Sequence, residues 1–232
     1  MRAGRPARAL LSLLFRYAKP VSALSPTAVL KAAETLELTP NQAPTWTLGE
    51  LSGRLVEVSG GQAAAHLTAA FGLVLEAQLC GDQAAWVTLE HSVFFPPDAA
   101  AGGVDVEALP VVRIPDARAA GRAADHLMRS GGFGLVVIDL SSESPEERPV
   151  LLPVPVLTRL LGLARAHDVA VLILTRKSPE AVSINSLVSL RADAQWSACE
   201  GRYDVCIRAI KDKRGGPGWT HLETCHGPAG VR

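Results

Sequence analysis

Two hydrophobic periodicities divide the chain. Near the start, Leu10, Leu13, Leu14 and Tyr17 recur at helical spacing, with arginines on the other side. A second amphipathic stretch runs from Pro26 to Leu38, and Thr39 to Pro44 reads as a Pro/Asn/Gln linker. The pattern predicts a helical appendage over residues 1–45 and a larger domain over 46–232. From Thr47 onward, short β-branched runs alternate with helical ones. Arg54–Val58 is a strand pattern, followed by Ser59-Gly60-Gly61 and a helical stretch from Ala63 to Leu79. Leu67, Ala70, Phe71, Val74 and Leu75 make its apolar face. Further strands are expected at Ala85–Leu89 and Val111–Ile114. Asp116 is placed to cap an Ala-rich helix that stops at Gly131-Gly132.

Leu135–Leu140 is apolar on both sides, the mark of a central strand in a parallel sheet. A helix around Val156–His167 leads into a second such run, Val169–Leu174. Strand–helix–strand repetition of this kind implies parallel pairing with right-handed crossovers. The tail reads differently. Asp193–Ala198, Tyr203–Ile210 and Trp219–Thr224 alternate apolar with polar, and Gly215-Gly216-Pro217-Gly218 is a hairpin turn. The fold class is therefore α/β, a mostly parallel sheet flanked by helices, with a C-terminal antiparallel hairpin. Trp86 and Trp196 fall within strands, which assigns both to the core.

Composition narrows the function without naming it. The 232 residues are 48% hydrophobic, enough for one sizeable core. Lysine and arginine total 23, as do aspartate and glutamate, so nucleic-acid contact needs a local basic patch rather than a global field. Cys80, Cys199, Cys206 and Cys225 form no CxxC pair and no metal-ligand spacing with histidine. Free thiols of this kind suit a reducing compartment, where each packs as a small hydrophobe. Arg16 and Lys19 interrupt the apolar run Leu10–Phe15 short of membrane-spanning length, so a cytoplasmic protein is expected.

The chemistry concentrates after the first strand. A phosphate-binding loop needs a strand, then GxxxxGK[ST], then a helix, so that backbone amides, a lysine and a hydroxyl meet phosphate and Mg²⁺. Gly60-Gly61-Gln62-Ala63-Ala64-Ala65-His66-Leu67 has that length in that place. Gly60 keeps the first glycine. Ala65 stands at the second glycine, His66 at the lysine and Leu67 at the hydroxyl. A methyl obstructs close approach of phosphate, a histidine is shorter than lysine and mostly neutral at pH 7, and a leucine cannot ligate metal. The three changes argue against Mg-ATP catalysis, and no metal or cofactor is expected.

Other segments follow this loop in a recognisable order. Gly53–Val58 resembles the strand leading into the phosphate loop of bacterial RecA, and Val87-Thr88-Leu89-Glu90-His91 resembles the strand that ends in that family's Glu-His pair. Gly103–Leu109 is similar to the stretch after it. Ser130-Gly131-Gly132-Phe133-Gly134-Leu135-Val136-Val137-Ile138-Asp139 resembles the Walker B strand. The resemblance implies a RecA-like P-loop NTPase fold. It also implies roles for Glu90, in activating water, and for Asp139, in handling Mg²⁺; here both are read as vestigial. After Val169–Leu174 the chain departs from RecA. Thr175-Arg176-Lys177-Ser178-Pro179 lacks the sensor glutamine, and the connection to Ser183-Ile184-Asn185 shortens the DNA-binding loop.

A RecA-like domain of this size, with a helical leader and an eroded phosphate loop, resembles the ImuA family of SOS-induced mutasome accessory proteins. That resemblance implies a non-catalytic role in translesion DNA synthesis, with ImuB, RecA and DNA as partners. Two basic clusters are candidates for DNA: Arg176 with Lys177, and Lys211 with Lys213 and Arg214. Two alternatives stay open. One is an atypical DNA-dependent ATPase of the recombinase superfamily, and the other is a SulA-like inhibitor of cell division.

Overall fold

The computed structural model describes residues 45–61, 64–90, 92, 94–141, 152–199 and 202–225. The chain divides into Met1–Gln42 and Ala43–Arg232. The helical appendage expected over residues 1–45 lies outside the described residues, apart from Thr45.

The domain opens with a single helical turn, α1 (Leu48–Leu51), then β1 (Leu55–Ser59), α2 (His66–Leu79) and β2 (Ala84–Leu89). A short α3 (Pro96–Ala101), β3 (Val111–Ile114), α4 (Ala117–Arg129) and β4 (Leu135–Asp139) follow. The second half comprises α5 (Val154–His167), β5 (Ala170–Thr175), β6 (Leu190–Cys199), β7 (Arg202–Asp212) and β8 (Thr220–Cys225). The eight strands form one sheet in the order β3-β2-β4-β5-β1-β6-β7-β8. Pairing is parallel from β3 through β6 and antiparallel from β6 to β8. The architecture is the expected one, with the Gly-rich turn between β7 and β8.

Strand alternation assigns residues to the two faces. Val56 and Val58 of β1 join α2 in one core, while Leu55 joins α4 and α5 in the other. Every residue of β1, β2, β4 and β5 is buried, as expected of strands covered on both faces. Trp86 is fully buried, its ring stacked on Phe71 at 4.9 Å between centroids. Burial of a side chain of this size contributes at least about 3 kcal/mol. Asp116 caps α4 as expected, its carboxylate accepting from the Ala119 amide at 2.7 Å.

Three expectations are corrected. The second helix begins at His66 rather than Ala63, because Ala64 is drawn into an antiparallel bridge with Gln195 of β6. Trp196 is 44% exposed rather than core. Residues 195–198 are all exposed, so the β6–β7 ribbon there outruns the layers that cover it. Trp196 instead packs edge-to-face on Tyr203, with centroids 5.5 Å apart. Cys80 is exposed and Cys206 half-buried, so these two are not core hydrophobes, whereas half-buried Cys225 packs against the α2-side core. Among the described residues, no helix is long and apolar enough to cross a membrane.

Candidate functional site

In an open α/β sheet, ligands gather beyond the carboxyl ends of the parallel strands. Ser59 ends β1 there, with Gly60 following; Asp139 ends β4 and Thr175 ends β5. Gly60 is required by close packing. A Cβ on it would lie 2.6 Å from the Ala64 Cβ and 2.8 Å from His66 Nδ1. The inside of the turn is thus occupied by the chain's own atoms. The Ala65 amide, which in a phosphate cradle would point at a ligand, donates to Ala194 O at 3.0 Å. Leu67 packs half-buried against the α2-side core.

His66 is buried, and its Nδ1 has no hydrogen-bond partner among the described residues. Burial pushes its pKa below the ordinary histidine value; the charge of Asp139 pulls it back up, and Arg176 pushes it down again. The imidazole is therefore neutral near pH 7. Asp139 is also buried, and its carboxylate is occupied. Oδ1 accepts from the Ser141 amide at 3.0 Å and the Ser141 hydroxyl at 2.6 Å, while Oδ2 accepts from Thr88 Oγ1 at 3.3 Å. Glu90 lies one residue past β2 and is exposed, its carbonyl accepting from Arg113 at 3.5 Å. His91 lies outside the described residues, as do Gln62 and Ala63 of the loop.

The basic candidates divide. Arg176 is exposed beyond β5, whereas Lys177 turns inward and donates to Glu57 Oε1 at 2.9 Å. Lys213 donates to the Ser186 carbonyl, and Arg214 reaches the Glu50 carbonyl at 3.5 Å. Lys211 makes no side-chain hydrogen bond or ion pair among the described residues. Burial lowers its pKa, and the neighbouring charges of Lys213 and Arg191 lower it further, against a smaller pull from Glu57.

Two buried ionic clusters escaped the sequence reading. Glu57, in the middle of β1, accepts from Thr175 Oγ1, Lys177 Nζ and the Ile184 amide. It therefore ties the connection after β5 down onto the sheet. Arg54 pairs with Asp212 at the start of β7's outgoing turn, both side chains almost wholly buried. Asp212 also accepts from the Arg214 amide and the Trp219 indole. Burial pushes the Asp212 carboxyl up, but these three donors together hold it below the ordinary aspartate value. A charged residue inside an otherwise apolar strand was the available signal for Arg54 and Glu57; their partners, more than a hundred positions away, left none.

A family model described as the RecA N-terminal domain matches residues 43–146. This segment is RecA-like. Curated RecA proteins are similar to it over 87 or 88 residues: that of Picosynechococcus at 38% identity, of Corynebacterium jeikeium at 39% and of Kineococcus radiotolerans at 40%. In each case the match covers 38% of this chain and 23–25% of the relative. The chain thus spans about a quarter of the length of the curated relatives it matches. The RecA-like stretch includes Gly60–Leu67, Glu90 and Asp139.

Proposed function

We propose that this RecA-like chain is a non-catalytic accessory protein of SOS-induced translesion DNA synthesis. In this reading it binds ImuB, RecA and DNA and does not hydrolyse ATP. The observation that carries the reading is the loop at Gly60–Leu67. His66 stands where a lysine would reach phosphate, and it is neutral, buried and packed against Gly60. Leu67 offers no metal ligand, and the Ala65 amide is engaged by β6. Arg176, Lys211, Lys213 and Arg214 supply the basic surface for a phosphate-dominated, salt-dependent DNA contact.

Two measurements test it. Calorimetric titration with Mg-ATP should give no binding at micromolar affinity, and a micromolar Kd would refute the non-catalytic reading. Pull-down of the tagged chain from DNA-damaged cells should recover ImuB; recovery of a division GTPase instead would favour the SulA-like alternative. An atypical ATPase keeps one observation in its favour, since Asp139 and Glu90 still stand at the ends of β4 and β2. Phosphate release above background, abolished by Glu90→Gln, would establish that second reading.

A further inference from the structure

The two edges of the sheet differ in how well the sequence guards them. β3 has four residues and is bracketed by Pro110 and Pro115, so it offers little to a strand laid alongside. β8 has six residues, Thr220-His221-Leu222-Glu223-Thr224-Cys225, with no proline, lysine or arginine among them. Among the described residues, nothing pairs with its outer side. Leu222, in the middle of this open edge, is 70% exposed.

The register with β7 fixes which groups the edge presents. The Ala209 amide donates to the Trp219 carbonyl at 2.9 Å, and pairing then runs unbroken from Arg208 with Thr220 to Tyr203 with Cys225. Hydrogen-bonded and non-hydrogen-bonded pairs alternate along an antiparallel ladder. His221, Glu223 and Cys225 therefore bond to β7, while Thr220, Leu222 and Thr224 hold their N–H and C=O groups out to the open side. Side chains alternate as well. Cys225 packs against the α2-side core, which puts His221 and Glu223 on that face and Thr220, Leu222 and Thr224 on the other. Neither His221 nor Glu223 makes a side-chain hydrogen bond or ion pair among the described residues.

We propose that β8 pairs antiparallel with β8 of a second copy of this chain, about a two-fold axis at Leu222. In that register Leu222 faces Leu222 of the second copy, and Thr220 faces Thr224. All the outward backbone groups are then used, in about six N–H···O bonds. The side chains match too. His221 faces Glu223 of the second copy, imidazole against carboxylate, and the axis repeats the pair. A one-residue slip turns the outward groups away from each other. A two-residue slip keeps them in line but sets Glu223 against Glu223 or His221 against His221. This self-matching is what commits the edge to a second copy rather than to an unrelated strand. The pairing rests on no part of the proposed function, so either can fail without the other.

Sedimentation equilibrium of the full chain, from about 5 to about 500 μM, tests the pairing. A monomer–dimer equilibrium with a Kd on the order of 10–100 μM is expected, because one paired edge buries less than a standard interface. Leu222→Lys sets two ammonium groups against each other at the axis and should weaken the dimer at least about tenfold. The exposure of Leu222 lets the monomer tolerate that change, which unaltered far-UV circular dichroism would verify. His221→Glu and Glu223→Lys should each lose self-association to a similar degree. An equimolar mixture of those two variants should regain it, because the new carboxylate of one chain then faces the new ammonium of the other. A monomer throughout the range would overturn the proposal and leave the edge to a different strand. A dimer indifferent to Leu222→Lys, or a mixture no tighter than its separate components, would overturn it as well.

Discussion

A buried imidazole without a hydrogen-bonded acid destabilises the folded chain whenever it takes up a proton. His66 is in that position, its pKa lowered by burial against a partial pull from Asp139. A depressed histidine pKa means that the unfolded chain binds the proton more readily than the folded one. Stability is therefore complete above the ordinary histidine range and falls as the pH drops below about 6.5. Asp193 works with the opposite sign. Burial raises its pKa, so its contribution is present at acid pH and fades as the pH rises through the raised value. For that reason the comparison belongs between variants at each pH. The urea midpoint of wild type should drop between pH 7.5 and 5.5 by more than that of His66→Gln. Parallel pH profiles for the two proteins would show that His66 does not carry the effect.

At the scale of elements, α4 and α5 show how close packing overrides propensity. Gly121 lies mid-helix in α4, where glycine costs about 1 kcal/mol relative to alanine. A Cβ at that position would lie 2.4 Å from Cγ1 of Val156 on α5. Gly121→Ala should therefore lower stability by about 1–2 kcal/mol despite its better propensity. Adding Val156→Ala should recover most of the loss in thermal melts, while Val156→Ala alone should not stabilise. A stabilised Gly121→Ala would mean that the helices part at little cost. Propensity reasoning at this glycine would have pointed the wrong way, because the neighbour that decides the sign is on another helix. The cap at Asp116 was legible for the opposite reason. Its acceptor and donor are three residues apart, so the whole interaction is local.

Across the whole molecule, Glu57 connects the centre of the sheet to the connection between β5 and β6. Its carboxylate is fully buried and holds Thr175, Lys177 and the Ile184 amide. Glu57→Gln removes the charge but keeps the size, leaving Lys177 without its ion. Loss of about 1–3 kcal/mol is expected, less than for a fully buried pair, because Lys177 keeps some contact with water. Trypsin should then cut faster in the segment 176–191 under native conditions, with no change in cleavage elsewhere. Unchanged cleavage there would show that the loop is held by its apolar contacts, Ile184 and Leu187, rather than by Glu57.

Local pattern by itself determined the strands, the order of helices between them, the cap at Asp116 and the hairpin turn. Each of these rests on periodicity or on contacts a few residues apart, and a chain carries that information without folding. It also placed Gly60–Leu67 between a strand and a helix, which made the loop readable. Only the tertiary structure decided what fills that loop, because His66 is buried against Gly60 and Ala65 is paired to Ala194 of a strand 129 positions on. The same holds for Lys177, a candidate for DNA in the sequence and an internal ion-pair partner in the fold. Glu57 meets Thr175 across 118 positions and Arg54 meets Asp212 across 158. Charged residues advertise their type in a sequence, but whether each faces solvent, a ligand or its counter-ion depends on which strands become neighbours. In this sheet β1 lies between β5 and β6, and that placement sets the partners of Arg54, Glu57 and the Gly60–Leu67 loop alike.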